Sequence, residues 1–312
     1  MSDAPVRSPQ ASAYDHITDA IIALLADGVV PWRRPWICQG PRNLVSGRPY
    51  RGINVLLLVA QGYPSPWWLT YRQALTLGGT VRAGEHGTQV VFWRPIDAHA
   101  HQDDPAAPRR TMVVRTYTVF HISQCDLPPE RMPTLDPTGD GIPRCEEIVR
   151  QLNTPPRIIT GSDTACYLPA TDTVYVPQMS AFDTLEQYYA TLFHELGHAT
   201  GHPTRLNRTG LVTPAPFGST DYSHEELVAE MTSAFVCGSA GIAPAVLETS
   251  AEYIAGWLAA VRADRRLLIH AAGQAQRAAD YLLGITSSYP TPISATDVRN
   301  MPTIPRPDAM TR

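Results

Sequence analysis

From Tyr14 to Asp27 the apolar positions Ile17, Ile21, Leu24 and Leu25 fall on one helical face, and Gly28 follows where a helix would be capped. Pro31-Trp32-Arg33-Arg34-Pro35-Trp36 cannot continue that helix, because each proline lacks an amide donor and fixes φ. The apolar run from Gly52 to Ala60 reads as a buried helix. Trp68-Leu69-Thr70 leads into a short helix through Tyr71–Leu77, closed by Gly78-Gly79. β-Branched and aromatic residues at Val81, Val90–Trp93 and Met112–Phe120 predict strands, and the polar stretch from Asp97 to Arg110 predicts a long hairpin loop.

Leu127–Pro143 breaks this pattern with five prolines and two glycines in 17 residues. That is linker composition, and it predicts a spacer joining two separable halves. Beyond it, Glu146–Leu152 reads as helix, and Ala165–Leu168 with Thr173–Val176 as a strand pair across Pro169–Asp172. Leu185–Thr200 and Ser223–Gly238 read as helices, and Ala251–Leu283 as at least one more. The expected fold class is α+β in two domains: residues 10–126, a Pro-rich linker at 127–143, a mainly helical domain with a small β-sheet at 144–288, and a loose tail at 289–312.

Composition narrows the class. In 312 residues, 44% apolar against 17% charged suits globular domains with their own cores. No apolar run reaches the roughly 18 residues a membrane span requires, and Met1-Ser2-Asp3-Ala4-Pro5 shows no basic-then-apolar leader, so a cytoplasmic protein is expected. The five scattered cysteines contain no Cys-x-x-Cys pair and point to reduced thiols, Cys237 as a small core residue. Residues 1–124 carry 12 arginines against 8 acidic residues (net +4), whereas residues 125–312 carry 13 against 21 (net −8). An anionic partner is therefore expected for the first half only.

The chemistry of the second half centres on His194-Glu195-Leu196-Gly197-His198. On a helix, histidines four apart project from one face, and each can give a nitrogen to a tetrahedral Zn²⁺ or another divalent transition metal. Glu195 lies beside them, placed to take a proton from water. His202 is a possible third ligand if the helix continues. An extended motif would need a histidine at position 204, which is Thr204. An acidic third ligand fits better: Glu226-Leu227-Val228-Ala229-Glu230 sets two carboxylates four apart on the next helix. By analogy with gluzincins, Glu226 would ligate and Glu230 would orient a ligand, or the reverse. Tyr222 is a candidate for polarising a carbonyl in the transition state.

The first half interleaves rings with guanidiniums at Trp32, Arg33, Arg34, Trp36, Arg42, Asn43, Tyr50, Arg51, Asn54, Trp68 and Arg72. Single-stranded DNA is the partner such a mixture suits, since bases stack on rings and Arg neutralises phosphate. The competing reading is a small core of rings with an arginine-covered surface.

These residues resemble a known family. Pro31-Trp32 with Pro35-Trp36, Asn43, Tyr50-Arg51-Gly52-Ile53-Asn54, Trp68-Leu69-Thr70, Gly84-x-x-Gly87 and Tyr117–Phe120 resemble the N-terminal domain of ArdC-like antirestriction proteins. Tyr188–His198, Thr200-Gly201-His202, Arg205-Leu206, Phe217-Gly218-Ser219 and Glu225–Glu230 resemble that family's metallopeptidase domain. The resemblance covers about residues 14–285, with His121 standing where the family suggests Asn and with a longer loop after Asp97. It implies a first domain that binds single-stranded DNA, a zincin-like second domain, and protection of incoming plasmid or phage DNA from host restriction. Two other classes stay open: a regulatory peptidase cleaving a DNA-bound repressor or host protein, and a DNA-binding protein whose metal site is structural or idle.

Overall fold

Helix α1 (Pro9–Ala26) buries Ile17, Ile21 and Leu25, and the chain leaves it through Gly28 at φ 77°. It begins five residues before Tyr14, the start the apolar spacing suggests. In this computed structural model residues 9–33, 40–97, 110–133, 141–208, 220–243 and 251–286 are described.

After a 3-10 turn at Pro31–Arg33 the first half alternates short elements: β1 (Arg42–Asn43), α2 (Ile53–Val59), β2 (Trp67–Thr70), α3 (Tyr71–Thr76), β3 (Thr80–Val81), β4 (Thr88–Asp97), β5 (Arg110–His121) and β6 (Cys125–Asp126). Four strands form a sheet in the order β1-β2-β5-β4, parallel only between β1 and β2. β4 and β5 pair antiparallel out to Asp97 opposite Arg110, so the two strands form a hairpin. Residues 98–109 lie outside the described residues. Thr70 and Gln73 cap α3 reciprocally, which turns strand β2 directly into helix.

The second half contains α4 (Ile142–Arg150), β7 (Arg157–Thr160), β8 (Cys166–Leu168), β9 (Thr173–Val176), α5 (Leu185–Ala199), α6 (Thr220–Ala240), α7 (Ala251–Ala263) and α8 (Leu267–Leu282). The expected strand pair β8–β9 is antiparallel, and β7 joins β9 in parallel on the other side. β7 has no alternating pattern to announce it: Ile158 and Ile159 are adjacent and both half-buried. Asp264 to Arg266 separates α7 from α8, and the Asp264 carboxylate accepts from the Arg266 amide.

The spacer reading of the Pro-rich stretch needs correcting. One buried apolar cluster runs through both halves, joining Ile17, Ile21, Leu25, Trp32 and Leu56 to Leu192, Val228, Trp257, Leu268 and Ala272. Trp32 meets Trp257 edge-on at 6.2 Å between ring centroids. Polar links reinforce the contact: Gln276 accepts from the Gly52 amide at 2.9 Å, Thr18 donates to the Arg265 carbonyl at 2.7 Å, and Arg51 pairs with Asp280. At Gly52 (φ 55°, ψ −132°) the backbone adopts a conformation open mainly to glycine, and an added Cβ would lie 3.6 Å from the Ala272 carbonyl oxygen. Composition predicts a separable pair because prolines report local stiffness, whereas docking depends on which faces of α1 and α2 remain apolar. Of the linker, Leu127 packs beside Leu69 and Ala74, and Pro129–Arg131 forms a 3-10 turn. Residues 134–140 and 287–312, which include the expected tail, lie outside the described residues.

Cys125, Cys145, Cys166 and Cys237 are free thiols, and burial pushes Cys237 up to about 12. Among the described residues no helix is long and apolar enough to cross a membrane.

Candidate metal centre and nucleic-acid residues

Thr184 caps α5 by accepting from the Gln187 amide, and Leu192, Phe193 and Leu196 bury one side of the helix. That leaves His194 and His198 on a common face, turned toward α6. Gly197 makes the approach of α6 possible, since a Cβ there would lie 3.2 Å from the Ala229 Cα and 3.3 Å from the Thr232 Cβ. Gly197→Ala should therefore force the helices apart. A gain of about 1 kcal/mol in helix propensity is outweighed by an overpacking cost of roughly 1–3 kcal/mol. Thermal melts should show the net loss, and metal titration should show weaker binding as Glu226 retreats.

The close crossing sets Glu226 against the two histidines, with one potential ligand atom from each within 4.8 Å of the others. His194 Nε2 lies 3.2 Å from His198 Nε2, 3.5 Å separates His194 Nε2 from Glu226 Oε2, and 3.6 Å separates His198 Nε2 from Glu226 Oε1. Ligands on a tetrahedral ion with bonds of about 2.0–2.1 Å are spaced roughly 3.3–3.4 Å apart. The three side chains thus have the spacing of three corners of such a site, and they fit a divalent ion. Two neutral imidazoles with one carboxylate are also a donor set that zinc-type ions accept.

Glu225, the neighbour of Glu226, faces the other nitrogen of the same histidine. His198 Nδ1 lies 3.4 Å from Glu225 Oε1. Arg208 holds that carboxylate through Nε at 3.1 Å and Nη2 at 2.5 Å, and its own remaining donors reach the Thr200 hydroxyl at 2.6 Å and the Gly197 carbonyl at 2.8 Å. Burial alone would raise the Glu225 pKa, but its hydrogen bonds to His198 and Arg208 outweigh this and hold it below the ordinary range. A carboxylate kept charged in that position fixes the ring of His198 and its tautomer.

Sequence reasoning expects Glu230 to orient a ligand, and the structure corrects that role. One turn beyond Glu226, its carboxylate meets the other half of the chain. It accepts from Trp32 Nε1 at 2.7 Å, from Arg33 Nη2 at 3.3 Å and from the Tyr253 hydroxyl, while the Arg33 guanidinium stacks on the Tyr253 ring at 3.9 Å. The four-residue spacing keeps Glu226 and Glu230 on one face, yet a turn's rise gives them different partners. The residues missed were Glu225 and Arg208, and only the adjacency of Glu225 to Glu226 hinted at the first. His202 binds Thr204 through Nδ1 at 2.8 Å, because α5 ends at Ala199 and leaves it off the ligand face.

Glu195 is 7% exposed. Burial raises its pKa, opposed by the charges of His194 and His198 and by a hydrogen bond from the Tyr167 backbone on β8. Tyr222 falls within α6, but its side chain lies outside the described residues.

The expected nucleic-acid residues scatter. Trp32 and Trp68 are each 1% exposed, and Tyr50 and Asn54 are buried as well. They serve packing: Trp32 belongs to the shared core, Tyr50 and Trp68 to a cluster under the β-sheet, and Asn54 to the edge of β4. Arg33 and Arg51 pair with Glu230 and Asp280. Asn43 and Gln73 exchange carboxamide hydrogen bonds at 3.0 and 3.1 Å. Arg42 and Arg72 are half-buried, and Arg34 and Trp36 lie outside the described residues. Burial of aromatic residues within an arginine-rich half is the part that ring-and-charge counting cannot foresee.

Comparison with known proteins follows this division. Residues 11–120 match the N-terminal domain of anti-restriction factor ArdC, and residues 143–274 match a zincin-like metallopeptidase family. Protein y4eC of Sinorhizobium fredii is 39% identical over 294 residues, covering 88% of this chain and 94% of that protein. The DNA primase TraC of Escherichia coli is 33% identical over 294 residues, which span 88% of this chain but 20% of the primase. The metal-free crystal structure of the antirestriction protein ArdC from plasmid R388 superposes with a TM-score of 0.72 at 37% identity, covering 87% of this chain and 97% of that one. Its Mn(II)-bound form gives 0.69 at 36%, covering 88% and 98%. With both halves matched in order and full-length relatives aligned nearly end to end, the chain belongs to the ArdC family of antirestriction proteins and carries a zincin-like metallopeptidase domain.

Proposed function

We propose that the chain protects incoming DNA by binding it as a single strand, and that its second half is a peptidase-type centre for one divalent ion of the zinc class. The observation that carries the reading is the tetrahedral spacing of His194, His198 and Glu226. A Glu225–Arg208 pair behind one ligand and the buried Glu195 beside the other support it. A divalent ion supplies Lewis acidity when bound, acidifying water and polarising a carbonyl. Glu195 then takes the water's proton on its carboxylate and can return it to a leaving amine. Its surroundings favour that exchange, since burial raises its proton affinity while the two imidazoles restrain the rise.

Purified protein should hold about one divalent transition-metal ion per chain, and His194→Ala with His198→Ala should empty it, as read by elemental analysis. Retention of a full equivalent in the double variant would remove the metal centre from consideration. Glu195→Gln keeps shape and the metal ligands, so metal content and affinity for a single-stranded oligonucleotide should stay near wild type. It should also still shield a transferred plasmid from restriction, because sequestering a strand needs no turnover. Protection lost while binding persists would instead make proteolysis the mechanism.

A further inference from the structure

The residues first expected to stack on bases are mostly buried, so the rings that a strand can reach must lie elsewhere. Phe92 and Tyr117, half-buried on one face of the β4–β5 hairpin, are two rings that remain partly open. We propose that single-stranded DNA crosses this face, with Phe92 and Tyr117 as base-stacking rings and Arg115 as a phosphate contact. The placement rests on the single-strand reading above.

The register puts these groups together. Phe92 stands opposite Arg115, Val90 opposite Tyr117 and Thr88 opposite Val119, so all six share one face of the hairpin. Val90 and Val119, at 0% and 1% exposure, form its floor with Leu58 and Trp68. Phe92 and Tyr117 rise from that floor only half-buried. Their ring centroids are 5.5 Å apart at 76°, and Tyr50 lies 6.4 Å behind Phe92 as a buried support. The rings are therefore fixed against one another while an edge or face of each stays accessible. Fixed, partly open rings suit bases that are already unstacked, and they lose little side-chain freedom on binding.

The charge pattern selects the ligand. Arg115 is exposed and has no ion-pair partner among the described residues, whereas Arg33, Arg51 and Arg82 each meet a carboxylate. No acidic residue occupies this face at Thr88, Val90, Phe92, Arg115, Tyr117 or Val119. Partly open rings, a guanidinium without an ion-pair partner among the described residues and no carboxylate at these six positions favour a phosphate-bearing strand over an acidic-residue-seeking or purely apolar partner. Duplex DNA keeps its bases stacked inside and offers the rings nothing.

The test uses the full chain and a labelled thymidine oligomer of about 16 nucleotides, read by fluorescence anisotropy at several salt concentrations. Phe92→Leu with Tyr117→Leu, which keeps apolar cover over the floor, should weaken binding roughly 10- to 100-fold. Arg115→Gln, at an exposed position where folding is not at stake, should weaken it and lower the salt slope by about 0.7. Tyr71→Ala is the control: Tyr71 is 51% exposed on α3, outside the β4–β5 hairpin itself, and should bind as wild type. Photo-crosslinking from iodinated pyrimidines should label Tyr117 or Phe92. Wild-type affinity retained by both hairpin variants, or crosslinks confined to other residues, would overturn the placement while leaving single-strand binding intact. A wild-type chain that ignores the oligomer would overturn the placement and the single-strand reading together.

Discussion

Arg208→Ala is expected to lower stability by about 3–5 kcal/mol, the usual cost of leaving one member of a buried ion pair alone. Arg208 is 7% exposed and Glu225 6%, so water cannot replace the lost guanidinium. The variant also strands the Gly197 carbonyl and the Thr200 hydroxyl at the end of α5. The damage should extend to the metal centre, since Glu225 holds His198 from behind: affinity for the ion should fall roughly 10- to 100-fold. Calorimetric melts and competitive metal titration measure the two effects separately. Adding Glu225→Gln to Arg208→Ala removes the orphaned charge and should recover part of the stability but not the metal affinity. Unchanged metal affinity in the single variant would deny Glu225 its orienting role. Arg208→Lys should recover little, because a lysine offers a point charge where three acceptors require a fork.

The second large effect concerns the whole first half. Residues 1–126 made alone should fail to fold cooperatively, despite matching a recognised domain family over most of their length. Ile17, Ile21, Leu25, Trp32 and Leu56 are buried in the cluster that includes α6, α7 and α8. Each such side chain contributes about 1.5–3 kcal/mol when buried, and a domain's whole margin is about 5–15 kcal/mol. Exposing several of them exceeds that margin. The fragment should bind a hydrophobic dye strongly and lack a sharp thermal transition, whereas the full chain melts as one unit. A cooperative melt of the fragment near that of the full chain would show that the shared cluster is contact without dependence.

The parts of this fold that the sequence announces are those with a strong period or a rigid chemical rule. The α1 face, the capped turn into α3, the β8–β9 pair and the paired histidines of α5 all rest on spacing within one element. Glu226 was legible because a helix carries its spacing across the gap to a ligand. Arg208 was not, since it follows α5 in irregular chain and reaches Glu225 only through tertiary packing. Trp32 and Glu230 illustrate the opposite failure. Each belongs to a plausible local motif, one aromatic and basic, one acidic and helical, yet they satisfy each other across 198 residues. Trp32 and Trp68 are buried where base stacking needs open rings, for a related reason: a tryptophan beside an arginine looks the same in sequence whether its ring faces solvent or core.

Asn54 carries one more consequence. β4 is the outer strand of the order β1-β2-β5-β4, and an outer strand exposes unpaired amides and carbonyls to any neighbouring chain. At Val91 both groups are already taken: the Asn54 carboxamide donates to the carbonyl at 2.7 Å and accepts from the amide at 2.8 Å. A side chain from α2 thus imitates one residue of a fifth strand, inside the protein, and interrupts the edge near its middle. A foreign strand cannot pair continuously along β4 without first displacing a buried amide. The residue that looked like a base reader is, on this account, a guard against self-association.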